Sequence, residues 1–226
     1  MKTVIITIEG IDGSGKTVQF ELIAKRLTEL GFSVEKKSYP IYGSYFGARV
    51  GKYLTAADGV DATDVDQRSM ALWFAMDRYM DFKGFCDGEY DFLLINRYVL
   101  SNAVYQSIRE KDLGKPDIVD WVFELEYDVL GLPRPSLNLF FDVDTANASN
   151  NVEKKGYRDY VGSGKDVYEA STSIQQRARD KYREVAARYS DTAIINCTDT
   201  DGMLPPEKIC DAVFEELNAR NLLNLR

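Results

Sequence analysis

The sequence predicts an α/β fold of three layers, with a five-stranded parallel sheet between two layers of helices. Three observations predict it. Short β-branched apolar runs alternate with longer stretches of helical spacing along the chain. The first such run leads directly into a glycine-rich turn and then a helix, the order of a phosphate-binding unit. No internal repeat or low-complexity linker divides the 226 residues, so one domain spanning 1–226 is expected.

Thr3-Val4-Ile5-Ile6-Thr7-Ile8 reads as a buried first strand. Gly10-Ile11-Asp12-Gly13-Ser14-Gly15-Lys16-Thr17 then fits G-x-x-x-x-G-K-S/T, the phosphate-binding loop of P-loop NTPases. Glycines let successive amides turn inward around a phosphate. Lys16 supplies a mobile positive charge, Thr17 a hydroxyl for Mg²⁺, and the following helix its positive dipole end. Residues 10–17, with Val18 beside them, are the expected ATP contacts. Leu22, Ile23, Ala24, Leu27 and Leu30 carry the helix to a stop at Gly31.

The second strand is expected at 33–38, closed by Tyr39-Pro40. Helices follow at 44–56 and from Asp64 to about Asp87, with Asp64 as N-cap and Gln67 three residues on. Phe92 to Ile95 forms the third strand, delivering Asn96-Arg97-Tyr98, and Ser101 is the expected cap of the next helix. A helix from Pro116 to Gly131 precedes a stiff loop with Pro133 and Pro135. Strands at 137–143 and 193–197 flank a short helix, a polar loop over 154–167 and a helix from Tyr168 to about Tyr189; the last helix starts near Pro205.

Composition narrows function. With no histidine, histidine acid/base catalysis and most zinc catalysis are excluded. A net charge of −8 argues against a nucleic-acid-coating protein but permits a local basic site for small phosphates. No run of about 18 apolar residues exists, so no membrane span is expected, and no signal peptide is expected at the N-terminus. Cys86, Cys197 and Cys210 are odd in number and widely spaced, which suits a reducing cytoplasm rather than a disulfide frame.

In a parallel sheet, ligands bind beyond the carboxyl ends of the strands. Arg97 leaves a strand at that edge, where its guanidinium fork suits phosphate oxygens. Ser101 and Tyr105, and Asn102 and Gln106, are one helical turn apart and carry polar groups toward the same cleft. Phe74 and Arg78 share a helix face; by themselves they read as a core phenylalanine with a surface arginine, and beside a nucleotide cleft as a ring and guanidinium that would seat a flat base. The run from Lys154 to Asp159 leading to Lys165 reads, by itself, as a solvated basic loop; beside a polyphosphate it would serve as a lid over about 154–167.

Together these segments resemble the thymidylate kinases, within the P-loop nucleoside monophosphate kinases. The likeness rests on Glu9 to Thr17 with its internal Asp12, on Tyr39-Pro40, on Phe74 through Arg78, and on Asn96-Arg97-Tyr98 with Ser101, Asn102 and Tyr105. Leu132-Pro133-Arg134-Pro135 with the strand after it, and Tyr168-Glu169, complete the order. The resemblance implies transfer of a phosphoryl group from ATP to dTMP, with Mg²⁺, in a homodimer. It implies catalytic roles for Lys16, Arg97 and Arg158, the last as a lid cation ahead of Lys154, Lys155 and Lys165. It implies that Asp12 meets the sugar 3′-hydroxyl, that Phe74 stacks on thymine, and that Arg78 bonds its edge. Asn102 and Tyr105 would line the base and sugar pocket, and Tyr168 and Glu169 close the sugar end.

Three departures accompany it. Asn96 stands where the family has aspartate, so the metal would meet Thr17 and an uncharged amide. Ile41 stands where the family often has an arginine aimed at the acceptor phosphate, leaving Tyr42 or Arg49 to stand in. The lid carries a single arginine. Two other readings stay open at this point: a deoxynucleoside kinase using Glu9 as base, and a nucleotide-binding regulator with weakened catalysis.

Overall fold

A computed structural model of the chain describes residues 2–153 and 172–224. The first strand, β1 (Val4–Glu9), leads through the glycine loop into α1 (Lys16–Glu29). β2 (Val34–Ser38), α2 (Tyr45–Thr55), α3 (Gln67–Phe82) and β3 (Phe92–Asn96) follow. Next come α4 (Val99–Asp112), α5 (Val119–Phe123) running into a π-helical turn (Glu124–Val129), and β4 (Leu137–Asp142). The chain continues with α6 (Thr145–Glu153), α7 (Thr172–Arg188), β5 (Thr192–Asn196), a hairpin of β6 (Thr198–Asp199) and β7 (Gly202–Met203), and α8 (Pro206–Ala219).

The main sheet has the order β2-β3-β1-β4-β5, and every pairing in it is parallel. β1 is central and buried on both faces, which is why it reads as an unbroken apolar run. α1 packs with α8, while α3, α4 and α7 pack in series as the other helical layer. Register fixes what the sheet edge presents. Ser38 pairs with Asn96, Ile8 with Asn96, and Glu9 with Phe140, so the ends of β1, β2 and β3 emerge side by side.

Several expected boundaries shift for local reasons. α3 is capped by Asp66, whose carboxylate accepts the Ser69 amide at 3.0 Å; Asp64 instead accepts the Asp61 amide in the preceding turn. α3 ends at Phe82 rather than near 87, since Gly84 follows and Asp87 is taken by the Thr3 amide at 2.9 Å. Ser101 does not cap α4. The helix starts at Val99, Tyr98 occupies the cap position, and the Ser101 hydroxyl donates to Glu9. α5 begins at Val119 rather than at Pro116, because Asp117 accepts the Val119 amide at 2.8 Å and the Ser107 hydroxyl at 2.7 Å. The expected start of α7 at Tyr168 and the lid at 154–167 lie outside the described residues. The β6–β7 hairpin was not anticipated; two-residue strands are too short to show a period. No helix among the described residues is long and apolar enough to cross a membrane.

The layer that carries α7 is anchored by a stack. Phe140, at the middle of β4, and Tyr182 of α7 lie 4.8 Å apart at 11°, both fully buried. Phe140→Ala removes that ring and leaves a cavity between sheet and helix. It is expected to cost about 3–5 kcal/mol of unfolding free energy in a urea titration. A loss below about 1 kcal/mol would show that the layer does not depend on this contact.

Candidate active site

The strand ends open into a cavity of about 720 Å³. Its phosphate-loop side is formed by Asp12, Gly13, Gly15, Lys16, Thr17 and Val18. Gly10, Ile11 and Ser14 lie beneath it: the Ile11 side chain is in the core, and Ser14 is fully buried. Two glycines are required by shape. Gly13 has φ +83°, and a Cβ there would stand 2.0 Å from the Ala148 carbonyl; Gly15, φ +82°, takes the cap position of α1. α6 steadies the loop through Asn151, whose amide donates to the Gly13 carbonyl at 3.0 Å. The Lys16 ammonium donates to the carbonyls of Gly10 and Ile11 at 3.0 and 2.6 Å.

Arg97 faces this loop. Its backbone is left-handed, φ 61°, which turns the chain sharply between β3 and α4. The guanidinium donates to the Asp12 carboxylate, reaches the Gly10 carbonyl at 3.4 Å, and lies 5.9 Å over the Tyr105 ring. Burial acts to lower its pKa, but Asp12 and other neighbours outweigh this and hold it well above the ordinary value. Glu9 lies below. It is fully buried and accepts from the Tyr98 amide at 2.8 Å and from the Ser101 hydroxyl, which also lies 2.9 Å from the Tyr182 hydroxyl. Burial raises its pKa, against those hydrogen bonds. From α7, Gln175 accepts the Asp12 amide at 3.0 Å and the Tyr105 hydroxyl at 3.2 Å, and donates to the Asp12 carboxylate at 3.1 Å.

The other end of the cavity is formed by α3 and α4. Phe74, Arg78, Asn102 and Gln106 all line it, as does Tyr42. Arg78 is held by Glu126 in a two-pronged pair, Nε to Oε2 at 2.6 Å and Nη2 to Oε1 at 2.5 Å. Both partners are buried. Burial works to lower the Arg78 pKa, and the Glu126 carboxylate more than reverses it. Asn102 donates to the same carboxylate at 2.8 Å and to the Ala71 carbonyl at 3.0 Å.

Asn96 and Thr17 both line the cavity. Asn96 Nδ2 donates to Ser38 Oγ at 3.0 Å, while its Oδ1 is buried and has no hydrogen-bond partner. An unspent amide oxygen and a hydroxyl are hard donors that fit Mg²⁺. Among the described residues no cluster of three or more acidic, cysteine or histidine side chains forms a self-sufficient metal cage.

The cavity therefore gathers the site residues foreseen within the described chain, except that Gly10, Ile11 and Ser14 support the loop from below and Arg49 lies away from it. Arg158, Tyr168 and Glu169 lie outside the described residues. Arg49 does not stand in for the missing arginine: it pairs with Asp58 at 2.8 Å, stacks on Tyr53, and is absent from the cavity wall. Ile41 is instead held through its amide, which donates to buried Asp77 at 2.7 Å. Three supporting residues escaped the sequence reading: Asp77, Glu126 and Gln175. Glu126 and Gln175 act on partners 24 or more residues away, and no local pattern marks them.

Comparison with known proteins agrees with this arrangement. The family model described as thymidylate kinase matches residues 8–201. The chain is 32% identical over 191 residues to the thymidylate kinase of Mycobacterium tuberculosis, covering 81% of this chain and 86% of that one. It is 25% identical over 199 residues to a probable thymidylate kinase of Pyrococcus horikoshii, covering 87% and 89%. In fold it is similar to the solved structure of a thymidylate kinase from Candida albicans, with a TM-score of 0.74 at 20% identity over 98% of this chain and 94% of that one. The loop at the end of β1, the arginine after β3 and the match across most of the chain agree: the protein belongs to the thymidylate kinase family of ATP-dependent nucleoside monophosphate kinases.

Proposed function

We propose that the chain transfers the γ-phosphoryl group of ATP to dTMP, giving dTDP and ADP. One observation carries this reading. A single cavity has a phosphate loop and Arg97 at one end and an aromatic ring with polar base-edge groups at the other. That is the layout for a nucleotide whose phosphate points at a second nucleotide's phosphate.

In this reading the loop amides and Lys16 hold the donor phosphates, with Val18 beside them. Arg97 bridges the acceptor phosphate and the transferring group. Phe74 stacks on thymine, Arg78 and Asn102 bond its edge, Asp12 meets the 3′-hydroxyl, and Tyr105 crowds the 2′ position. Tyr42 approaches the acceptor from the β2 side. Thr17 and Asn96 would hold Mg²⁺, which supplies charge neutralisation between phosphate oxygens. Arg158 acts as lid cation, and Tyr168 and Glu169 close the sugar end. The acceptor phosphate is already ionised near neutral pH, so no general base is required. Glu9 is unsuited to that task in any case: it is fully buried and both its oxygens already accept hydrogen bonds, from Tyr98 and Ser101, which weighs against a hydroxyl-phosphorylating deoxynucleoside kinase. Catalysis then rests on alignment and positive charge. A homodimer belongs to the same proposal, supported by the exposed apolar Leu72 and Met80 on α3. A cytoplasmic location is supported by three cysteines that stay unpaired.

An ADP-release assay with Mg²⁺-ATP and a panel of nucleoside monophosphates tests the reading. dTMP is expected to give the highest kcat/KM. Phosphorylation of thymidine with dTMP inert would overturn it. Arg97→Lys keeps charge but loses the fork, and is expected to lower kcat by about 10³-fold with little change in dTMP affinity. Asn96→Asp is expected to lower the Mg²⁺ concentration for half-maximal rate several-fold; an unchanged Mg²⁺ titration would remove Asn96 from the metal's surroundings.

A further inference from the structure

We propose that Glu126 sets the hydrogen-bond polarity of the base end of the cavity. It thereby makes the site accept a pyrimidine with an N3–H donor and a 4-oxo acceptor, thymine or uracil, and reject cytosine. The proposal rests on the nucleotide reading above and names a positioning residue for it. Glu126 has no exposed surface and does not line the cavity, so it acts only through other side chains.

The argument begins with Asn102. An asparagine amide can present either its oxygen or its nitrogen, and its neighbours decide which. Here the Glu126 carboxylate at 2.8 Å and the Ala71 carbonyl at 3.0 Å are both acceptors. The nitrogen must face them, and the oxygen is left over. That oxygen is buried and has no protein partner. Asn102 therefore offers the ligand an acceptor only.

Arg78 is fixed by the same carboxylate. Two of its nitrogens, Nε and Nη2, are engaged by Glu126, so the plane of the guanidinium is set and Nη1 remains as a donor toward the cavity that Arg78 lines. Gln106 adds a second donor by an independent route. Its oxygen accepts from Arg109 Nη1 at 2.8 Å, a group that only donates, and its Nε2 is buried without a partner.

Among the described residues at the base end, Asn102, Arg78 and Gln106 thus present one acceptor and two donors. A ring with N3–H and O4 answers with one donor and one acceptor. Cytosine presents the reverse at those atoms, a bare N3 lone pair and an N4 amino group. It would set lone pair against lone pair at Asn102 and N–H against N–H at Arg78. A site built to hydrogen-bond one polarity rejects the other strongly, because its own groups are left unpaired. Glu126 lies on a π-helical turn, a local widening often found at functional sites, and reaches α3 and α4 together.

The test compares kcat/KM for dTMP, dUMP and dCMP at saturating Mg²⁺-ATP in the wild type, Glu126→Gln, Glu126→Asp and Asn102→Ala. In Glu126→Gln the amide can donate or accept, so Asn102 keeps only the Ala71 carbonyl to hold its orientation, and Arg78, which donates in either variant, loses the carboxylate that fixes its plane. The dTMP/dCMP ratio is expected to fall about tenfold or more, while dTMP and dUMP shift together. Asn102→Ala removes the acceptor but keeps the buried ion pair, and is expected to lower the ratio similarly. Glu126→Asp, which keeps the charge but shortens the reach to Arg78 and Asn102, is expected to lower the ratio in the same direction and decides the matter if Glu126→Gln does not fold. A merely structural role would lower stability or all rates together and leave the ratio within about threefold of wild type, which overturns the proposal. If the wild type phosphorylates dTMP and the ratio does not move, the kinase reading stands and only the role of Glu126 falls. If the wild type prefers dCMP, both fall.

Discussion

A carboxylate with no exposed surface ties the catalytic half of the molecule together. Glu9, the last residue of β1, accepts the Tyr98 amide and the Ser101 hydroxyl at the start of α4. The phosphate loop begins one residue after Glu9, and Arg97 sits one residue before Tyr98. A single side chain thus sets the offset between the glycine loop and the Arg97 guanidinium, the two groups proposed to meet the two phosphates. Parallel pairing of β1 with β3 gives the coarse register, and Glu9 supplies the fine one. Burying a carboxylate is costly unless it is fully hydrogen-bonded and near positive charge, and both Arg97 and Lys16 lower that cost.

The same logic recurs at the other end of the cavity. Glu126 is paired with Arg78 as Glu9 is surrounded by Tyr98, Ser101 and the Arg97 charge. Each of these buried anions uses its remaining oxygen capacity to orient an uncharged group, Ser101 in one case and Asn102 in the other. Neither pair is strong evidence of net stability, since two charges were taken from water to make it. What they provide is geometry that a ligand does not have to impose.

The layered fold was legible because it depends on local signals. The apolar run of β1, the glycine loop and the helical spacing of α1 sit next to one another in the chain, and periodicity reports them directly. The lining of the cavity was legible where a residue's own segment carries the signal, as with Lys16, Arg97, Phe74 and Arg78. What escaped reading depends on distant partners. Asp66 rather than Asp64 caps α3 because Asp61 claims the latter. Ser101 resembles a cap but serves Glu9, 92 positions away. Glu126 stands in an unremarkable Leu-Glu-Tyr run, and nothing within a helical turn of it hints at Arg78, 48 positions earlier, or at a π-helical backbone. Charged residues in a helix are ordinarily solvated, so its sequence context points away from the interior.

Asn96 shows how the charge balance constrains the chemistry. Among the described residues, the phosphate end holds two cations, Lys16 and Arg97, against two anions, Asp12 and Glu9. An aspartate at position 96 would add a third anion at the place where two nucleotides bring several negative charges together. Its benefit would be a stronger hold on Mg²⁺, because a carboxylate adds charge to the oxygen ligand. Its cost would be repulsion of the phosphates, which grows as water is excluded and the local dielectric falls. Asparagine keeps an oxygen donor in the same place and removes that repulsion. On the proposed reading, the unspent Oδ1 leaves residue 96 an oxygen to offer the metal without a charge. Position 96, on that same reading, trades metal affinity for easier approach of the phosphates.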